Sequence, residues 1–285
     1  HGIGISSSGA ESVEVVKGPL YVLYGSDAMG GVIYVEPENY SSTDGFSVDY
    51  TGIYNSNYNG FNNNLGLSGK SGKFSYLLRA DLIDNDNFST PDHEIENTWF
   101  EQNEIKAGVS YESEKFTSDL RYSRTDSDIG IPHMDEGHDD HGHDDHDDHD
   151  EEGHDDHDDH DEEGHYQELK HTTLTWKNTF DLGNNHILDV TLGQQFNERK
   201  EFGGHGEEGH DDHEEEGHDD DHDDHDDHDG HEEGEAELDM ELLTNTLDIK
   251  LVMPQTEDFN LIIGSNILSQ ENKNFGHETL VPDSE

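Results

Sequence analysis

The sequence predicts an all-β, antiparallel protein, and three observations carry that prediction. Apolar residues recur at every second position over long stretches, the mark of strands with one apolar face. Short polar turns alternate with long connections along the chain. Ring residues gather near the ends of the apolar faces, while the opposite faces carry Lys, Arg, Asp, Asn and Thr.

Nine candidate strands follow in order. Two weaker segments, Gly45–Tyr54 and Tyr58–Ser68, come first. Then Phe74, Tyr76, Leu78, Ala80 and Leu82 alternate with Ser75, Arg79 and Asp81. Ile105, Ala107, Val109 and Tyr111 alternate with Lys106, Gly108 and Ser110, and Phe116, Leu120 and Tyr122 with Thr117, Asp119 and Arg121. Leu174, Trp176 and Phe180 oppose Thr173, Thr175 and Lys177, and Leu188, Val190, Leu192 and Phe196 oppose Asp189, Thr191 and Gln195. Leu243, Leu247, Ile249, Leu251 and Met253 face away from Thr244, Thr246, Asp248 and Lys250. Phe259, Leu261, Ile263 and Ile267 close the series.

Short turns fall at Gly69–Gly72, Ser113–Glu114, Leu182–Asn185 and Pro254–Glu257. The intervening connections are Asn55–Asn57, which is brief, then Asn85–Phe100, Thr125–His165, Arg199–Ala236 and the tail from Gln270. Consecutive antiparallel strands put every second connection on the same side, so the long connections share one side and the short turns the other. That is the layout of an outer-membrane barrel, with the long loops extracellular. Tyr111, Phe116, Tyr122, Phe180, Phe196 and Phe259 suit interfacial girdles, and the polar faces suit a wet lumen. A water-soluble β-sandwich or meander shares the same alternation and stays open on periodicity alone.

The 285 residues carry a formal charge of −57 with 28% hydrophobic residues, which taken whole resembles a disordered chain. The acid is concentrated, however. Asp135–Glu163 and Glu207–Glu235 each hold 18 carboxylates and no Lys or Arg; outside them the charge is −21. Such a chain favours cations and excludes a nucleic-acid partner, which needs clustered basic residues. With no cysteine, disulfides and thiolate metal sites are excluded. No apolar run reaches the roughly 18 residues of a membrane-spanning helix, which leaves barrel strands possible. No nucleophile–base pair, phosphate loop or catalytic metal motif is present, so an enzyme is not expected.

Ahead of the strands lies "ESVEVVKGPLYVLYGSDAMGGVIYVEP", Glu11 to Pro37. Gly18-Pro19 punctuates a strand, Gly25, Gly30 and Gly31 allow tight turning, and Glu14 and Lys17 are candidates for an ion pair. Val13, Glu14, Val15, Lys17, Gly18 and Pro19, followed by Leu23, Tyr24, Gly25, Ala28, Gly30, Gly31, Val32 and Ile33, resemble the C-terminal part of the plug domain of TonB-dependent outer-membrane receptors. The resemblance implies residues 1–37 as the end of a plug and residues 38–285 as the first part of a barrel of about 22 strands. Nine strands cannot close such a barrel, so the chain reads as an internal piece of a larger receptor. The resemblance also implies a Gram-negative outer membrane, contact with its lipid, and coupling to the TonB complex through plug regions upstream. "YVEPE" departs from the family pattern and blurs the junction.

Two histidine–carboxylate tracts, at about 125–165 and 199–236, fall on the long-loop side. The first carries His133, His138, His141, His143, His146, His149, His154, His157, His160 and His165. The second carries His205, His210, His213, His218, His222, His225, His228 and His231. The dominant H-D-D-H spacing brings imidazoles onto one edge of an extended or helical segment, where two reach one ion beside carboxylates. Neutral imidazole suits zinc, nickel or Cu(II); with Met134 the only thioether in the tracts, Cu(I) does not fit. The spacing matches neither a calcium loop nor H-E-x-x-H.

The expected function is therefore TonB-dependent uptake of a divalent transition metal, zinc first, with the tracts as extracellular collectors and no permanent cofactor. The alternatives are a receptor for a siderophore, haem or cobalamin with regulatory tracts, and a surface metal-buffering protein without import. His93 and His277 are candidates for a tighter site but read as ordinary loop residues, and His186 reads as structural.

Overall fold

The computed structural model describes residues 9–18, 30–132, 164–203, 236–256, 259–276, 279 and 282–284. Two strands open the chain: β1 (Ala10–Lys17) pairs antiparallel with β2 (Gly31–Pro37). Gly18 at φ +114° ends β1, and Gly31 at φ +149° starts β2. A Cβ on Gly31 would stand 2.6 Å from the Val16 carbonyl oxygen, so the pair closes only around glycine. Glu14 and Lys17 do not pair: three positions apart on one strand, they point to opposite faces.

The body is one nine-stranded antiparallel sheet. Its strands are β3 (Gly45–Asn55), β4 (Gly60–Ser71), β5 (Phe74–Asn85), β8 (Phe100–Glu112), β9 (Phe116–Gly130), β10 (Tyr166–Gly183), β11 (His186–Phe202), β12 (Leu238–Thr256) and β13 (Phe259–Asn274). Each pairs with its neighbour in sequence, apart from a small excursion, β6 (Phe88–Ser89) with β7 (Glu94–Ile95), in the connection between β5 and β8. Among the described residues the short turns are tight but later than expected in one case: β4 runs on to Ser71, leaving Gly72–Lys73 as the turn, while β12 continues through Pro254 to Thr256 and the turn expected up to Glu257 reaches outside the described residues. Between β10 and β11, Asn184 and Asn185 both adopt positive φ (55° and 62°), which matches a two-residue turn to the strand twist.

The sheet is inside out relative to a soluble protein. Apart from Leu77 and Leu238, its buried residues are polar: Ser75, Arg79, Asp81, Gln102, Glu104, Ser110, Thr125 and Ser127 are all at most 9% exposed. Its exposed residues include Phe46, Val48, Leu78, Ile105, Val109, Trp176, Leu192 and Ile267. A soluble sandwich would reverse this, because each fully exposed large apolar side chain forgoes about 1.5–3 kcal/mol in water. A polar inner face and an apolar outer face are those of a transmembrane β-barrel wall. At the short-turn rim, rings from four strands form a girdle: Phe74 and Tyr111 have centroids 5.1 Å apart, Tyr111 and Phe116 6.4 Å, and Phe116 and Phe180 4.9 Å.

Four strands run further towards the long-loop rim than the alternation of apolar residues suggests. The ladder of β9 continues to Gly130 and that of β11 to Phe202, so the two long connections narrow to 131–165 and 203–237. The outward face loses its apolar pattern there. Beyond Tyr122, Leu174, Phe196 and Leu243 it carries Arg124, Asp126, Lys170, Glu198, Lys200 and Asp239. These charges pair along and across strands, with Arg124–Asp126 and Lys170–Glu198 at 2.9 Å and Lys200–Asp239 at 3.4 Å. The wall thus rises past the apolar belt into a charged collar.

A face-specific test follows. Leu192→Arg, on the outer belt, should destabilise the lipid-inserted protein by about 2–4 kcal/mol in a folding titration from urea. Gln195→Arg, on the luminal face, should stay within about 1 kcal/mol of the parent.

Candidate functional site

Chemistry on this wall is concentrated in two places: the lumen beneath the β1–β2 pair, and the rim from which the histidine tracts spring. In the lumen, the linker 38–44 from β2 to β3 is bound to the wall by two arginines. Arg79 of β5 donates to Glu38 through Nε and Nη2, both at 2.9 Å, and through Nη1 to Asp49 at 3.0 Å. Its Nη1 also meets Asn64 Oδ1. Arg121 of β9 donates to the Glu38 carbonyl at 2.9 Å and stacks 4.5 Å over the Tyr40 ring. Tyr40 donates to Asp119 at 2.6 Å, and burial followed by that bond pushes its phenol pKa up. The side chain of Arg79 is only 9% exposed, so its charge depends on these carboxylates.

A cavity of about 310 Å³ lies between the β1–β2 pair and β8–β10, lined among others by Val35, Glu38, Glu104, Lys106, Arg121 and His171. His171 contacts Asn197 Oδ1 through Nδ1 and Thr173 Oγ1 through Nε2 at 3.0 Å. Unlike the tract histidines, His171 stands alone in its strand with no repeat around it. Parity alone puts it on the luminal face with Thr173, Thr175 and Lys177. The latch of Glu38, Tyr40 and Asp49 has no motif; it is non-local, spanning up to 83 residues between Glu38 and Arg121.

At the rim, seventeen of the eighteen tract histidines lie outside the described residues. The exception, His165, is held by its backbone: its carbonyl accepts from Ile131 N–H at 2.8 Å and from Asn97 Nδ2 at 2.5 Å. Asn97, at φ +56°, also donates to the Ile131 carbonyl, so one side chain ties together the two ends of the first tract. The second tract leaves from Gly203, where a Cβ would come within 2.8 Å of His165 Cα. It returns at Glu237, whose N–H donates to the Glu201 carbonyl at 2.9 Å. Because β9, β10, β11 and β12 are successive neighbours, the feet of the two tracts stand side by side on one rim.

His93 closes a loop turn with Thr90, whose hydroxyl donates to the His93 carbonyl at 2.6 Å, and His186 opens β11 beside the tight turn. His277 lies outside the described residues. Among the described residues, no group of three or more His, Cys, Asp or Glu side chains is arranged to hold a metal.

No protein-family model and no curated protein sequence matches the chain. Solved structures do. The copper transporter OprC is similar over 95% of this chain, with a TM-score of 0.62 and 14% identity. The FrpB iron transporter from Neisseria meningitidis is similar over 94%, with a TM-score of 0.63 and 13% identity. At such identities the likeness establishes the fold. The chain spans 35% and 38% of the length of these two proteins.

Removing the latch tests its role. Arg79→Ala leaves Glu38 and Asp49 unpaired and should cost about 3 kcal/mol. Hydrogen exchange of residues 38–44 should accelerate while the β10–β12 ladder stays protected.

Proposed function

We propose that this chain is the plug end and first barrel strands of a TonB-dependent outer-membrane receptor that imports a divalent transition metal, zinc first. In this reading residues 1–37 close the plug and residues 38–285 begin the barrel, with both histidine tracts on the extracellular side. The observation that carries the proposal is the adjacency of the two tract feet on one rim of an inside-out sheet. Ligand-rich segments mounted there would overhang the lumen together. The plug-like segment Glu11–Pro37 supports a gated pore over a passive anchor, and two of the solved proteins with this fold are transporters of copper and iron.

Each histidine–carboxylate unit binds weakly, but many tethered units raise the local ion concentration above the pore. The 36 tract carboxylates repel one another, and bound cations would relieve that repulsion. Imidazole favours zinc, nickel and Cu(II) over calcium, and the carboxylates complete or orient the shell. The energy for release into the periplasm would come from the TonB complex acting on plug regions outside this chain.

The test is zinc uptake by cells in zinc-poor medium, comparing the full-length receptor with one lacking residues 133–163 and 204–235. Uptake at limiting zinc should fall at least ~tenfold and recover at high zinc, as expected when an effective-concentration device is removed. Undiminished uptake at limiting zinc would defeat the proposal. Zinc retained by the tracts should also fall as pH drops through the imidazole range near ~6.5, because protons compete for the ring nitrogen. Equilibrium dialysis at neutral and mildly acidic pH reads this directly.

A further inference from the structure

The luminal wall carries a buried cluster of oxygen acceptors, chemically unlike the imidazole-rich tracts. Asp81 of β5 and Glu104 of β8 are directly opposed across the ladder on the inner face. They are 4% and 3% exposed. Like charges directly opposite on a sheet repel, and burial strengthens the repulsion. Their neighbours do not cancel it. Lys106 Nζ lies 3.0 Å from Glu104 Oε2, and Thr125 donates to Glu104 Oε1 at 3.2 Å. Asp81 Oδ1 accepts from Asn64. Asp81 Oδ2 is buried and meets no donor among the described residues, and neither does the buried Oδ1 of Asn62 on β4. Arg79 is committed to Glu38 and Asp49, and Arg121 to Asp119.

The charge count gives the same answer. Glu38, Asp49, Asp81 and Glu104 bring four negative charges to this part of the wall, against two positive charges from Arg79 and Lys106. Among these six groups two negative charges are left over, which one divalent cation would balance. Space is available: Asp81 and Asn62 line a luminal cavity of about 440 Å³ together with Asp49, Asn64 and Arg79. A buried acceptor with no donor is destabilising, and a bound cation would remove that penalty.

We propose that Asp81 and Asn62, with Glu104 beside them, form a luminal cation site that takes a hard divalent ion, calcium above magnesium. The donors are all oxygens, carboxylate and amide, which suit calcium and not the borderline metals that imidazole prefers. An irregular carboxylate–amide set also fits calcium's flexible shell better than magnesium's strict octahedron. Set into β4 and β5 next to Arg79, the bound ion would brace the part of the wall to which the linker is latched.

The full-length receptor, purified in detergent and stripped with a chelator, tests this by its thermal midpoint during titration with calcium chloride. Calcium should raise the wild-type midpoint, with magnesium needing at least ~tenfold more. Asp81→Asn should abolish the rise or move its half-effective calcium concentration up at least ~tenfold; Asn62→Ala should weaken it. Glu104→Gln is the second carboxylate variant should Asp81→Asn not fold. The tracts are identical in all these proteins, so calcium held by them cancels in the comparison. Equal calcium responses in wild type and both carboxylate variants, or no response in wild type, would overturn the site. Neither result bears on zinc capture, which is read separately by uptake.

Discussion

The constraint on which the rest of the structure depends is that one face of a single sheet meets hydrocarbon while the other meets water. In lipid an unpaired backbone N–H or C=O has no solvent to turn to, so every strand must be laddered to its neighbours. The long antiparallel ladder from β3 to β13 answers that demand. Once the ladder is set, period-two alternation sends Leu78, Ile105, Leu192 and Ile249 outward and Arg79, Glu104, Thr125 and Thr191 inward. The luminal chemistry is a consequence. Within the apolar belt, charged groups collect on the inner face because there they keep partners, and Arg79 can then bind a linker far from it in sequence.

Much of this was legible in the residues. Strand parity needs only local alternation, which is why the outward and inward sets of β5, β8 and β12 could be assigned position by position. The turn at Asn184–Asn185 was legible for a similar reason, since few residues other than glycine and asparagine accept positive φ at both centres. Strand ends on the long-loop side were not. From Arg124 to Asp128, and again from Glu198 to Glu201, the outward face turns charged while the backbone ladder continues, so the apolar signal stops before the strand does. The candidate lumen sites were hidden for a different reason. Glu38–Arg79, Tyr40–Asp119 and Asp81–Glu104 are contacts between segments that no short pattern links.

The two features that stand out most in the sequence therefore relate to the fold in different ways. The histidine tracts have low complexity and were found by composition, but composition said nothing about where they attach. The sheet supplies that: Asn97 joins the ends of the first tract, and Gly203 brings the second against His165. A charged collar of paired residues lifts both above the apolar belt. Polyanionic segments anchored on neighbouring strands are tethered to one another, and tethering many weak ligands raises their effective local concentration.

The central claim is that both tracts stand on the outer side of the membrane and the tight turns on the inner side. These 285 residues contain no cysteine, so a cysteine introduced here is the only one in this part of the receptor, and the parent receptor serves as the control. The most direct measurement is labelling of Gly142→Cys, Gly209→Cys and Asn184→Cys receptors in intact cells with a membrane-impermeant maleimide. The account predicts that the two tract positions label at once and that position 184 labels only after the outer membrane is permeabilised. Labelling at 184 in intact cells, with the tract positions protected, would contradict it.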